Sequence, residues 1–310
     1  MADTGTTPKP LNYAEEYEAA LANAYPQQLH FAALRSAEND SRYTFLNAKT
    51  IHIPILSTTG RTNASRDEIT GFSRNFENDW EDKTLTFHRE WSTLVHPMDI
   101  DETNQVASIT NITRTFNETQ KFPEMDDYLV SKLHSDWVEA GGTDITDAIT
   151  TENVLEVFDT MMMNMDEEDV PATGRLLYLT PEIDKTLKSA KAIGRSISVN
   201  GENDGRINRL IANIDRVQIE VVPSKHMLTA YDFTVGSKKG ASAKQIQMFL
   251  VHPSCVITPD KYDFVGLQPP TAGSKGKWLY YEESYGDVFI LNQRIAGLQF
   301  VVEGSSGLSE

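Results

Sequence analysis

The stretch that decides the architecture is Thr84–Trp137, TLTFHREWSTLVHPMDIDETNQVASITNITRTFNETQKFPEMDDYLVSKLHSDW. It opens as a strand in which Leu85, Phe87, Trp91, Thr93 and Val95 share one face at period two. Asp101 then stands in an N-cap position with Glu102 in the first helical turn. Val106, Ile109, Ile112 and Phe116 follow at helical spacing, so one face is apolar and the rest is Thr, Asn, Arg and Glu. Pro123, lacking an N–H, kinks or restarts the helix. Glu124, Asp126 and Asp127 lie near that new N-terminus, and Met125, Leu129, Leu133 and Trp137 form an i, i+4 stripe that Gly141-Gly142 ends. Such a helix would run about 50 Å if continuous at 1.5 Å per residue. It reads as a beam rather than a pocket.

Outward from the beam, the totals set limits. A chain of 310 residues can build two or three linked subdomains with a substantial core. A hydrophobic share of 39% without Gly or Pro enrichment places it among folded proteins. The net charge of −17 argues against tight, salt-sensitive binding to nucleic acid over the whole surface. The lone Cys255 rules out an intrachain disulfide framework and a cysteine metal pair. No signal-peptide pattern or membrane-spanning apolar run is present, so the Asn-x-Ser/Thr sequons at Asn39, Asn63, Asn111 and Asn117 read as chance.

Residues 1–10 read as a mobile arm, and Asn12 with Glu15 forms a capping box for a short helix. Ile51, Ile53 and Ile55 alternate, and Pro54 on the other face suggests an edge strand. From Ser57 to Lys83 runs a long polar segment, basic at first (Arg61, Arg66, Arg74) and then acidic (Glu77, Asp79, Glu81, Asp82) around Trp80. By itself the pattern favours a solvated surface loop; the alternative is an extended hairpin arm reaching a neighbouring subunit.

After the beam, Thr151–Met165 reads as a helix with Val154, Leu155, Phe158, Met161, Met162 and Met165 on one side, its methionines filling core. The acids 166–169 read as a solvated turn, since they lack the ligand spacing and glycine of a calcium loop. Residues 176–179 make a short buried strand. A helix then begins at Thr180-Pro181-Glu182 and is closed by Gly194, with Lys185, Lys188 and Lys191 on a wet face. The remainder is strand-rich: 217–221, 248–251, 256–257, 278–281, 288–291 and 295–302.

Catalytic patterns are missing. There is no Gly-x-Gly-x-x-Gly, and GSKKGASAK from Gly236 lacks the Lys-Ser/Thr of a P-loop. No two of the seven histidines have helix-face ligand spacing. Ser224, His226 and Asp232 are close in sequence, but a triad is a matter of spatial geometry. The chain is expected to be no enzyme and to carry no metal or cofactor.

The order of these segments, with several local motifs, resembles the major capsid proteins of tailed bacteriophages. The resemblance rests on the Thr84 run, with Met98-Asp99-Ile100-Asp101-Glu102-Thr103-Asn104 and Pro123-Glu124-Met125-Asp126-Asp127-Tyr128. GRLLYLTPEIDKTL from Gly174 and YEESYGDVFILNQRIAGLQF from Tyr281 extend it to about half the chain. The first 50 residues and 195–245 carry none of it.

The resemblance implies an α+β class and the Hong-Kong-ninety-seven-type shell fold. Residues 1–48 would be the N-terminal arm and 49–96 the extended β-hairpin loop with its flanking strands. Residues 97–140 would carry the long spine helix of the peripheral domain, joined by returning strands of 251–310, and 141–250 would be the axial domain. The implied function is a shell of hexamers and pentamers enclosing double-stranded DNA within the virion. Its partners would be copies of the chain, a separate scaffolding protein, a portal protein and DNA held weakly, with no membrane. Inter-subunit contact would fall on Arg61, Arg66, Arg74, Glu77, Asp79, Trp80, Glu81 and Asp82. An encapsulin-type compartment and a soluble β-rich enzyme or carbohydrate-binding protein are the alternatives. No lysine lies between Ser57 and Trp80, so the covalent Lys–Asn links of the family's namesake are not expected.

Overall fold

The computed structural model describes residues 28–35, 43–47, 49–61, 74–102, 108–190 and 213–304. The capping box at Asn12, Arg66, Val106, Lys191 and Gly194 lie outside them.

A short strand β1 (Thr44–Phe45) leads into a hairpin of β2 (Thr50–Thr58) and β3 (Phe76–Thr84), paired without a break from Thr50↔Thr84 to Thr58↔Phe76. Both ends of the Ser57–Lys83 segment are therefore strand. Pro54 lies past the end of β1, where β3 is the only neighbour of β2 among the described residues, so the missing N–H disturbs no second described ladder.

The strand read from Thr84 onward is two strands. Leu85 and Thr86 separate β3 from β4 (Phe87–Val95), which pairs with a different sheet. Leu85 packs into the hairpin's root, and the Thr86 N–H donates to Asp287 at 2.7 Å, which anchors the change of direction. A range of 49–96 thus divides at this break.

Helix α1 (Pro97–Glu102) contains Asp101, which is not an N-cap. The longer helix starts later, with Ser108 accepting from the Asn111 N–H. It comprises α2 (Ile109–Phe116), a π-turn at Asn117–Lys121 and α3 (Phe122–Glu139). Pro123 sits just beyond that wide turn, which gives its ring room and leaves no orphaned α-type bond to it. The beam is continuous, about 45 Å at 1.5 Å per residue. It ends as read: Gly141 takes φ 97°, and the Gly142 and Gly141 N–H groups close on the carbonyls of Trp137 and Val138.

Next come α4 (Val154–Glu167), β5 (Leu176–Leu179) and α5 (Pro181–Lys188), which ends at Lys188, short of Gly194. β6 (Asn213–Ile214), β7 (Val217–Val221), β8 (Tyr231–Asp232), β9 (Lys238–Lys239), β10 (Ile246–Val251) and β11 (Val256–Ile257) follow. β12 (Asp260–Gln268), β13 (Trp278–Gly286), β14 (Phe289–Ile290) and β15 (Leu298–Val302) complete the order.

Two sheets organise the body. One has the order β15-β10-β5-β7-β6 and is covered on both faces. Leu176, Tyr178, Phe249, Val251 and Phe300 point at Leu129, Leu133 and Trp137 of α3, while Leu177, Leu179, Met248, Leu250 and Val301 meet α4 and α5. That double cover explains why β5 is four apolar residues without alternation. Met161 and Met165 are fully buried there, as core filler. Because β15 pairs with β10, a boundary at residue 250 cuts this sheet, and Leu298–Val302 does not group apart from the 141–250 block. The other sheet, β12-β13-β4, carries the α2–α3 beam over one face: Trp91 stacks on Phe116 and Phe87 on Tyr128.

Candidate functional site

The β2–β3 hairpin is rooted by Ile51, Ile53 and Leu85, which bury against Ile257, Phe289 and Leu291. Lys83 fastens it further, its ammonium 3.0 Å from Asn292 and 3.0 Å from Glu81. Beyond the root the hairpin projects with most side chains exposed among the described residues.

The expected contact residues divide. Arg61 and Arg74 are exposed on the outer part, with Arg74 5.6 Å over the Phe76 ring. Glu77, Asp79 and Trp80 are exposed, and Asp79 accepts the Trp80 N–H at 2.8 Å. Glu81 is buried at the root with Lys83, and Asp82 pairs with His52. Those last two acids hold their own hairpin, so the acidic run does not act as one surface.

The register brings together a set that charge reading missed. Side chains directly opposite share a face, so Thr58/Phe76, Leu56/Asn78 and Pro54/Trp80 lie on one side. Leu56, Phe76 and Trp80 are 65%, 53% and 51% exposed, an apolar stripe along a projecting arm. The sequence signal was there as period two in Phe76–Trp80 and Pro54–Leu56. The polar residues between hid it.

A second polar cluster sits where residues 28–35 meet α3. Asp126 accepts the His30 N–H at 2.8 Å, and Arg35 donates to the Met125 carbonyl at 2.9 Å. Burial pushes Asp126 up to about 6, partly offset by the His30 and Phe31 N–H groups. Asp127, also buried, bonds His226 at 2.6 Å and the Ser237 hydroxyl. His226 is thus taken by Asp127 rather than by Asp232, which caps Thr234, and the Ser224 grouping is no triad. Asp166 faces the guanidinium of fully buried Arg175 at 2.6 Å, and the described residues include no group of acids, histidines or cysteines placed to hold a metal ion.

No family model and no curated protein matches this sequence. Solved structures do. Similar along nearly the whole chain are the capsid of cyanophage P-SCSP1u (TM-score 0.67, 12% identity, 95% of this chain and 94% of that one) and the mature capsid of bacteriophage PhiM1 (0.65, 12%, 95% and 93%). The fold is that of phage capsid shells. The head of Helicobacter pylori bacteriophage KHP40 matches as well, with TM-score 0.59, 12% identity and 99% and 98% covered. In shell-fold terms, the α2–α3 beam is the longest described element of an α+β chain, and the outer part of the hairpin is exposed.

Proposed function

We propose that this chain is the major capsid protein of a tailed phage, assembling as hexamers and pentamers into an icosahedral shell around double-stranded DNA. The observation that carries the proposal is the apolar stripe on the hairpin, in a fold shared end to end with subunits of phage heads. Nothing among the described residues covers Leu56, Phe76 and Trp80, and a neighbouring copy would do so. Repeated heterologous contacts of this kind close into rings and shells.

Magnitudes favour the stripe over the charges as the joining force. Each exposed ion pair contributes about 0–1 kcal/mol and is screened by salt. Burying a large apolar side chain contributes about 1.5–3 kcal/mol. Arg61, Arg66 and Arg74 then set orientation against acids of the next copy, such as Glu77 and Asp79. The net charge of −17 suits a container that touches packaged DNA without gluing to it. A separate scaffolding protein, a portal protein, location in the virion and the lack of enzymatic activity belong to the same proposal.

Electron microscopy of the purified chain, alone and co-expressed with a scaffolding protein, tests it. Capsomer rings or shells are expected. Monomers or dimers at every concentration, under both conditions, would overturn the reading.

A further inference from the structure

At the hairpin's root, the side of β3 that faces the core carries two charged residues. Glu81 and Lys83 stand opposite Ile53 and Ile51, on the side that packs against Phe289 and Leu291. Glu81 is 9% exposed, and its Oε1 is buried with no partner among the described residues besides the Lys83 ammonium at 3.0 Å. The same ammonium donates to the Asn292 Oδ1, also at 3.0 Å. Packing holds the three groups together. Leu85, two residues after Lys83, and Leu291, next to Asn292, are buried in one apolar cluster. Asn292 itself is exposed, so a group released from its amide has a way out to water.

An amine, a primary amide and a carboxylate in mutual reach are the reactants and the proton carrier of a transamidation. We propose that Lys83 and Asn292 become joined by an isopeptide bond within one chain, with Glu81 moving the protons. Glu81 takes a proton from the ammonium, which frees the Nζ lone pair to attack Cγ of Asn292. That carbon lies one C=O bond, about 1.2 Å, beyond Oδ1. Turning the amide therefore brings it within the roughly 3–3.5 Å at which held groups react fast. The Nζ–Cγ bond forms, the Cγ–Nδ2 bond breaks, and Glu81 passes its proton to Nδ2 as a second proton leaves Nζ. An ammonium and a primary amide become a secondary amide and an ammonium ion, so atoms and charge balance without a further reactant. The link would tie the projecting arm covalently to the body behind it. It joins two parts of one chain and leaves separate copies unlinked.

Mass spectrometry of the denatured full-length chain, with peptide mapping, tests this without any need for assembly. The chain should be about 17 Da lighter than its sequence, one ammonia lost, and a branched peptide should connect Lys83 to Asn292. Lys83→Arg and Asn292→Ala should each restore the full sequence mass, since a guanidinium stays protonated and alanine offers no amide. Glu81→Gln should stay largely unlinked, because a placed proton carrier contributes about 10²–10⁴-fold. A wild-type chain at its full sequence mass overturns the proposal whatever the variants do. So does a deficit that persists in Lys83→Arg or Asn292→Ala, or a Glu81→Gln chain linked as completely as wild type.

Discussion

Arg175 and Asp126 carry disproportionate weight for single side chains. Arg175 is fully buried and gives its guanidinium to the Pro171 and Val170 carbonyls at 3.0 and 2.6 Å, besides Asp166. Asp166 itself is largely in water, so losing the ion pair matters less than orphaning two carbonyls. Arg175→Ala should therefore cost about 2–4 kcal/mol in urea unfolding; a loss below about 0.5 kcal/mol would mean the turn repacks freely. Asp126 has a folded-state value near 6 against 3.8. Between about pH 4 and 6 the folded chain keeps a proton that the unfolded chain has lost. That contribution to stability is complete below about pH 4 and is lost as pH rises through 6, about 3 kcal/mol at most. Stability of wild type relative to Asp126→Asn should thus rise on going from pH 7 to pH 4, and urea melts at the two values check it. The shift in His30 runs the opposite way but is common to both chains, to first order. Neither residue was legible beforehand. Asp126 and Asp127 look like ordinary first-turn helix acids, and their partners His30, His226 and Ser237 lie about a hundred residues away in the chain.

Among the elements, the hairpin and the end of the beam make separable predictions. If the stripe joins copies, Trp80→Ser or Leu56→Ser should abolish assembly at all salt concentrations while leaving the circular dichroism of the monomer unchanged. Arg74→Glu should slow assembly mainly at low salt, since its effect is screened. Light scattering at low and molar-range salt distinguishes the two; a stronger, salt-sensitive defect from Arg74→Glu would return the contact to charge. At the beam's end, Gly142→Ala places a methyl in the Trp137 ring and should cost about 1–3 kcal/mol by thermal or urea unfolding. The beam was legible because its apolar stripe and its glycine stop are local properties. β12 was not read as a strand, and the reason is physical: Tyr262, Phe264, Val265 and Leu267 are all exposed, so neither face imposes an alternation. The sheet on which β15 lies escaped a boundary at residue 250 for a related reason, since pairing partners far apart in sequence leave no local mark.

At the level of the whole molecule, the layout argues for non-covalent shells. The outer hairpin has no lysine between Ser57 and Trp80, and Lys83 at its root is held by Asn292 and Glu81 of its own chain. Assembled particles boiled in detergent should run as one band near 34.7 kDa; a ladder of multiples would show that another lysine reaches a neighbour. The same layout has a kinetic side. β4 pairs with β13 from Val95↔Trp278 to Phe87↔Gly286, so nearly two hundred residues of intervening chain are looped out between hydrogen-bonded strands. Closing such a loop is slow, because its entropy is lost before the pairing is gained. The β2–β3 hairpin, by contrast, joins neighbours in sequence and zips on the microsecond scale of hairpins. During refolding the sticky arm is therefore complete well before the platform behind it, and dilute conditions or a chaperone will decide how much of the chain reaches the native state rather than an aggregate.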